Sequence, residues 1–129
     1  MNTSTENAGP LLVGLDVGTT NIKAVVFDVH GQVVGLDSAR TPTHYPRPGW
    51  AYYRHDEIWA RTIQALKTAV AAVDDPSRIV SMAVASIGET GYPLDAAGNC
   101  LYEGIAWFDV RTDPQAAEIE AAIGADRLY

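Results

Sequence analysis

Residues 11–27 read LLVGLDVGTTNIKAVVF, two apolar runs separated by a short Gly-Thr-Thr turn. Both runs are apolar on both faces and the second is rich in β-branched residues, which is typical of central strands with cover on each side. A weaker apolar run at residues 32–36 follows a turn at His30-Gly31 and predicts a third antiparallel strand. This part of the chain therefore predicts a three-stranded antiparallel meander.

Residues 41–86 extend that meander into a mixed sheet. Residues 41–50 hold three prolines and predict an extended connection. A helix is predicted from His55 to about Val73, with one apolar face made of Trp59, Ile63, Leu66, Val70 and Val73. Arg78–Ser86 predicts a buried strand. Because a strand, a crossing helix and a strand imply parallel pairing, the fold class is α/β.

The ends of the chain carry weaker signals. Tyr92–Leu94 and Leu101–Trp107 flank a turn at Asp95–Asn99 and predict a hairpin near the sheet edge. A second helix is predicted over Asp113–Ile123. Residues 1–10 are predicted to be a disordered tail that is not a signal peptide.

Composition limits the classes of function. A chain of 129 residues, 47% hydrophobic and 19% charged, has the size and balance of one globular domain, without room for two domains and a cleft between them. The net charge of −7 argues against nucleic acid as a partner, and the lack of a long apolar stretch argues against a membrane. The one cysteine, Cys100, excludes an internal disulfide framework and a cysteine-rich metal site, so a reducing cytoplasm is expected.

The turn between the first two strands is the best candidate for chemistry. A carboxylate at the end of a buried strand, Asp16, is costly unless a cation or hydrogen bonds compensate it. Gly18 allows close approach of a ligand, Thr19 and Thr20 supply hydroxyl groups beside turn amides, and Lys23 adds a positive charge. The alternative is an ordinary hairpin whose Asp and Thr side chains satisfy their own turn.

The same residues resemble a known family. Asp16–Asn21 followed by Lys23 resembles the first phosphate loop of the actin, Hsp70 and sugar-kinase superfamily, whose sheet is ribonuclease H-like. Together with Pro46-Arg47-Pro48-Gly49-Trp50, the helix carrying Trp59, and the Ala106–Thr112 stretch, it makes residues 11–129 resemble the start of an FGGY-family carbohydrate kinase. The resemblance implies an actin-like ATPase fold and phosphoryl transfer from MgATP to a hydroxyl of a sugar or polyol.

The resemblance also implies roles for residues of the loop. Asp16 would hold Mg²⁺ through water, and Gly18, Thr19, Thr20 and Lys23 would line the phosphate path of ATP. These implied roles agree with what the residue types of the loop predict by themselves.

Four further residues are candidates for the substrate side. Gly88 and Glu89 lie where the family places sugar-contacting residues, but Gly88 departs from the arginine of glycerol kinases and Glu89 from the histidine of xylulose kinases. The choice of sugar or polyol therefore stays open. Asp109 and Arg111 could orient a sugar or form a surface ion pair worth little.

The resemblance implies a truncated chain. In these kinases the catalytic aspartate and most of the adenosine site lie beyond the matched part, so the chain corresponds to the first part of the first domain and would be inactive alone, with no catalytic residue of its own. A truncated sheet could expose an edge and form a homodimer. The alternatives are a stand-alone, non-catalytic ligand-binding or interaction module of the same fold and, with little support, half of a dimeric aspartic protease.

Overall fold

The structure, a computed structural model, describes residues 9–127. These residues fall into two compact units, the first made of residues 9–42 and 56–88 and the second of residues 43–55 and 89–127. The predicted tail over residues 1–10 lies, for residues 1–8, outside the described part. In chain order the strands and α-helices are β1 (Leu11–Val17), β2 (Asn21–Asp28), β3 (Val33–Arg40), β4 (Tyr52–Tyr53), α1 (His55–Ala71), β5 (Ile79–Ser86), β6 (Gly104–Ile105) and α2 (Asp113–Ile123).

The first unit is a four-stranded mixed sheet in the order β3-β2-β1-β5. The pairs β1/β2 and β2/β3 are antiparallel, whereas β1 and β5 are parallel and are connected through α1. The predicted meander and its fourth, parallel strand are confirmed. A crossing helix between parallel strands is foreign to an all-β protease, which removes the aspartic-protease alternative.

Side chains alternate between the two faces of this sheet. Leu11, Val13 and Leu15 of β1 are buried on one face, as are Ile22, Ala24 and Val26 of β2, and Ala65, Ala69 and Val73 belong to the same core. Each fully buried Leu, Val or Ile side chain contributes about 1.5–3 kcal/mol relative to an exposed one. On the other face of the same strands lie Leu12, Gly14 and Asp16.

The predicted burial of the fourth strand is wrong. After the half-buried Ile79, every residue of β5 is exposed. The strand is the last in the order of the sheet, and no described residue pairs with its outer edge. Within the described residues β5 is therefore an exposed edge strand despite its apolar composition.

The predicted apolar face of α1 is partly wrong. Trp59 is 66% exposed, while the buried residues of the helix are Thr62, Ala65 and Ala69. The reason is a close approach between the helix and β3: a Cβ atom at Gly35 would overlap the carbonyl oxygen of Ala69. Only small side chains fit beneath a helix that lies this near the sheet, so the face that packs is set by residue size as well as by hydrophobicity.

The second unit contains a two-stranded antiparallel sheet of β4 and β6. The predicted turn at Asp95–Asn99 is present, closed by hydrogen bonds from the amides of Ala97 and Asn99 to the Asp95 carboxylate and flanked by a Leu94–Cys100 bridge. Its predicted position at the edge of the main sheet is wrong, because Gly104 and Ile105 pair with β4 instead.

The second helix is confirmed over Asp113–Ile123, with proline in its first turn and Gly124 after its end at φ +82°. Neither α-helix among residues 9–127 combines the length and apolar content that crossing a bilayer requires.

Replacing Gly35 by alanine is expected to destabilise the first unit by about 2 kcal/mol, because the added methyl group would push the backbone of α1 away from the sheet. Chemical denaturation measures the free energy of unfolding. Gly14→Ala is the matched control, since a Cβ there meets only Phe27 at an ordinary 3.7 Å. Equal stability of the two variants would contradict this packing.

Candidate functional site

The turn between β1 and β2 is fixed from behind by Thr41, the residue that follows β3. The Thr41 hydroxyl donates a 2.6 Å hydrogen bond to the carbonyl of Gly18, and its amide donates one of 3.0 Å to the carbonyl of Thr20. Thr41 is only 6% exposed. The amide of Gly18 closes the turn itself, donating to the carbonyl of Asn21 at 3.1 Å.

This arrangement leaves donors on the outer side of the turn. A trans peptide points its carbonyl and its amide in opposite directions, so with the Gly18 carbonyl bound to Thr41 the amide of Thr19 points away from Thr41. Among residues 9–127, neither the amides nor the hydroxyls of Thr19 and Thr20 have a hydrogen-bond partner. The turn thus offers up to four donors to a ligand, and Thr19 and Thr20 do not satisfy their own turn as the ordinary-hairpin alternative would require.

Asp16 lies beside these donors, at the end of β1 and on the face of the sheet opposite α1. Its side chain is exposed, so the predicted cost of burying this carboxylate does not arise. No described residue donates a hydrogen bond to it or pairs with it. Lys23 lies directly across from Asp16 on β2, but the two side chains form no ion pair. Carboxylate and ammonium are therefore both available to a ligand.

An open concavity of about 490 Å³ adjoins Asp16 and Lys23 on this face of the sheet. Its volume is within the range of small-molecule sites. Small residues shape it, because Gly14 and Ala83 face each other across β1 and β5, as do Asp16 and Ala85. Its other lining residues are Leu15, Val25, Phe27 and Val84.

The donor set fits a hydrated magnesium ion. Among the described residues no three His, Cys, Asp or Glu side chains come together as a metal cage. Mg²⁺ retains several water ligands and is usually held by one or two carboxylates together with phosphate oxygens. A single unpartnered carboxylate, Asp16, next to amide and hydroxyl donors for phosphate is consistent with that kind of site.

Gly88 lies at the same edge of the sheet as the turn. The strands β1 and β5 are parallel, so their carboxyl ends meet at one edge, and the amide of Ile87 donates to the carbonyl of Val17 at 3.1 Å. Gly88 follows directly, is exposed, and has nothing within 4 Å of where a Cβ would be. Glu89 is also exposed and belongs to the second unit.

The Asp109–Arg111 pair is buried, which the surface-pair alternative does not predict. Each carboxylate oxygen of Asp109 accepts two hydrogen bonds. Oδ1 accepts from the amide and the Nε of Arg111, both at 2.8 Å. Oδ2 accepts from the Nη2 of Arg111 at 2.8 Å and from the amide of Ala51 at 2.6 Å. The Asp109 side chain is fully buried and that of Arg111 is 12% exposed. With its acceptor sites occupied, Asp109 holds Arg111 and the end of the 43–51 segment in place.

Hydrogen bonding from Arg111 holds the pKa of Asp109 far below its usual range, with the amides of Ala51 and Arg111 acting in the same direction. The same hydrogen bond raises the pKa of Arg111. The pair therefore stays charged under all ordinary conditions.

Sequence reasoning missed Thr41. Its role depends on the register in which Asn21 pairs with Arg40, which places residue 41 beside residue 20. The length of the β2/β3 hairpin would have revealed that residue 41 lies beside residue 20. The apolar pattern predicts that β3 ends at residue 36, whereas the strand continues to Arg40 in the structure.

Comparison with known proteins gives one family. The family model described as "FGGY family of carbohydrate kinases, N-terminal domain" matches residues 11–129. Among curated relatives, a glycerol kinase of Thermococcus gammatolerans is 37% identical over 114 residues, covering 88% of this chain and 23% of the relative. A glycerol kinase of Saccharolobus islandicus is 35% identical over 104 residues, covering 80% of this chain and 21% of the relative.

Solved structures agree with these matches. A xylulose kinase from Rhodospirillum rubrum is 28% identical, with a TM-score of 0.78 over 91% of this chain and 24% of that protein. A gluconate kinase from Lactobacillus acidophilus shares the fold, with a TM-score of 0.84 at 22% identity over 93% of this chain and 24% of that protein. The chain spans about a quarter of the length of the relatives it matches.

Replacing Thr41 by valine is expected to lower the free energy of unfolding by about 1 kcal/mol, because it removes the hydroxyl that binds the Gly18 carbonyl while keeping the shape of the side chain. Urea denaturation measures the change. Thr112→Val is the control, since the Thr112 hydroxyl makes no capping bond to α2. An unchanged stability of Thr41→Val would show that the turn is not held by Thr41.

Replacing Asp109 by asparagine is expected to cost about 3 kcal/mol at neutral pH, because it leaves a largely buried guanidinium without its counter-charge. A carboxyl group whose pKa is lowered by folding stabilises the protein above its unfolded pKa, and that stability is lost as pH falls. The wild-type chain should therefore lose stability below about pH 4, and the gap to the variant should narrow there. Denaturation at several pH values measures this, with Asp126→Asn as the control. A gap independent of pH would contradict the assignment.

Proposed function

The chain belongs to the FGGY family of carbohydrate kinases, and from this premise we propose that it is the N-terminal part of the first domain of an ATP-dependent kinase for a sugar or polyol. The proposed reaction moves the terminal phosphoryl group of ATP to a hydroxyl of the carbohydrate. In this proposal residues 11–129 supply the first phosphate loop and part of the substrate side.

One observation supports the proposal most strongly. In the turn at residues 18–20 the carbonyls of Gly18 and Thr20 accept hydrogen bonds from Thr41, while the free donors of the turn and the Asp16 carboxylate lie together at one edge of the sheet. Phosphate oxygens need donors, and a metal ion on the phosphates needs a carboxylate. In an ordinary turn these groups would bind only water, and the Asp16→Asn variant distinguishes the two cases.

The proposed roles follow from these positions. The amides and hydroxyls of Thr19 and Thr20 would donate hydrogen bonds to phosphate oxygens, and Lys23 would offset part of the phosphate charge. Gly18 would leave space around the Asp16 carboxylate, since a Cβ there would come within 3.5 Å of an Asp16 oxygen and 3.0 Å of the Asn21 carbonyl oxygen. Asp16 would hold Mg²⁺ through water. Bound Mg²⁺ supplies charge neutralisation on the transferring phosphates.

On the substrate side, we propose that Glu89 accepts hydrogen bonds from carbohydrate hydroxyls and that Gly88 leaves space for the substrate at the end of β5. Arg111 would approach the sugar from a position fixed by Asp109. Relatives named as glycerol, xylulose and gluconate kinases define the range of candidate substrates. We place no general base among residues 9–127, so the chain would bind without catalysing transfer. The family's chemistry and the single Cys100 favour a cytoplasmic location.

By itself, the 129-residue chain is expected to produce no ADP from MgATP with glycerol, xylulose or gluconate, and to bind MgATP no more tightly than about 1 mM. A coupled ADP assay and calorimetry measure these quantities. Turnover by the chain alone would overturn the assignment to an incomplete kinase.

A chimaera tests the role of Asp16 directly. When this chain replaces the matching quarter of the Thermococcus gammatolerans glycerol kinase, Asp16→Asn is expected to lower kcat by about 100-fold or more, because a metal-holding charge is lost from the transition state. Lys67→Gln, a charge change on the exposed side of α1, is the control. A folded chimaera whose kcat is unaltered by Asp16→Asn would contradict the proposed site.

We further propose that the chain by itself forms a homodimer through β5. This strand is at one end of the sheet, and Val80, Met82 and Val84 are each more than half exposed. An apolar edge strand of this kind pairs readily with a second copy. Light scattering should give a dimer for the wild-type chain and a monomer for Val84→Lys. Monomeric wild-type chain at all concentrations would refute the interface.

A further inference from the structure

We propose that Arg47, Trp50 and Arg111 in the second unit form a binding site for an oxyanion, a carboxylate or phosphate group on a small ligand. None of these residues belongs to the phosphate loop. Arg111 also has a proposed place on the substrate side, but anion binding by Arg47 does not depend on the proposed kinase reaction. Two arginines share one indole ring there, and one of the two positive charges is uncompensated.

Both guanidinium groups lie against the Trp50 indole. The Cζ of Arg47 is 3.3 Å from the ring centroid and that of Arg111 is 4.1 Å from it. The negative face of an aromatic ring attracts a cation, and attraction is strongest for Trp among the aromatic residues. Two Cζ atoms at these distances from one centroid must lie on opposite faces of the ring, so the indole lies between the two guanidinium groups.

Only one of these two charges is balanced. Arg111 forms its bidentate pair with Asp109. Arg47 is exposed and has no ion-pair partner among residues 9–127. The guanidinium of Arg47 thus presents a planar set of donors to solvent. The second positive charge, that of Arg111, lies across the Trp50 indole from it. Planar, weakly hydrated guanidinium groups bind carboxylate and phosphate oxygens through paired hydrogen bonds.

The platform is rigid. The amide of Trp50 donates to the carbonyl of Arg47 at 3.1 Å, closing the Pro46–Trp50 turn, and the amide of Val110 donates to the carbonyl of Gly49 at 2.9 Å. Gly49 has φ +77°, and a Cβ there would come within 2.6 Å of Val110. Prolines on both sides of Arg47 limit its backbone further. Little conformational entropy is lost when such a site binds a ligand.

Positive charge is scarce around this site. Residues 89–129 carry eight acidic and two basic residues, and Arg111 is one of the two. The acidic side chains repel an anion, so the guanidinium of Arg47 must supply the attraction that holds it. Binding should weaken with added salt, because Arg47 is exposed to solvent.

The experiment follows the indole Nε1–H signal of Trp50 in the ¹⁵N-labelled 129-residue chain, assigned with Trp50→Phe. Sodium phosphate, sodium gluconate and neutral sorbitol are titrated separately at constant ionic strength. We expect saturable shifts with phosphate and gluconate but not with sorbitol, and the tighter of the two anions identifies the ligand class.

Variants test whether the anion binds at Arg47 itself. Arg47→Gln should weaken anion affinity about tenfold, and Arg47→Lys should weaken it less, because lysine keeps the charge but loses the planar donor set. Lys67→Gln should leave the affinity unchanged. Thermal melting of each variant verifies that it is folded at the titration temperature.

Three outcomes would overturn the proposal. The first is a set of shifts that do not saturate, and the second is an Arg47→Gln variant that binds anions as the wild type does. The third is loss of the response in Lys23→Gln, which would place the anion at the phosphate loop.

Discussion

The rest of the first unit depends on one close approach, that of the α1 backbone to the glycine in β3. Because the Ala69 carbonyl occupies the space of a side chain at Gly35, the helix lies low on the sheet and covers one face of β1 and β2. Side chains in a strand alternate between faces, so this contact decides which residues are buried. Leu11, Val13 and Leu15 fall beneath the helix, and Asp16 falls on the other face.

As a consequence, the two faces of the sheet have different roles. The helix face holds the core, while the opposite face keeps Asp16 and Lys23 accessible across adjacent strands. The position of Thr41 depends on the register of β3 against β2, and β3 also carries Gly35, the residue that contacts the helix. The donors of residues 19 and 20 are thus oriented by a hydrogen bond from the residue that follows this strand.

Local patterns predict most of the fold. Apolar runs locate β1, β2 and β5, and the helical period locates α1, because these signals lie within one element. What local patterns cannot predict depends on distant partners. The helical period places Trp59 on the buried face of α1, whereas Gly35 favours small residues such as Ala69 there. Local patterns also cannot predict the burial of Asp109, because the Ala51 amide that donates to its carboxylate is 58 positions away. The phosphate loop is predictable because its chemistry is contiguous, whereas Thr41 comes from another strand.

We propose that the turn at residues 18–20 binds phosphate through its amides and that a metal ion held by Asp16 contributes to this binding. The most direct measurement is the amide ¹H–¹⁵N shifts of the 129-residue chain during titration with magnesium pyrophosphate. We predict saturable shifts that are largest at Thr19 and Thr20, depend on Mg²⁺ and are lost in Asp16→Asn. Shifts that are absent from these two amides, or unchanged when Mg²⁺ is omitted, would contradict it.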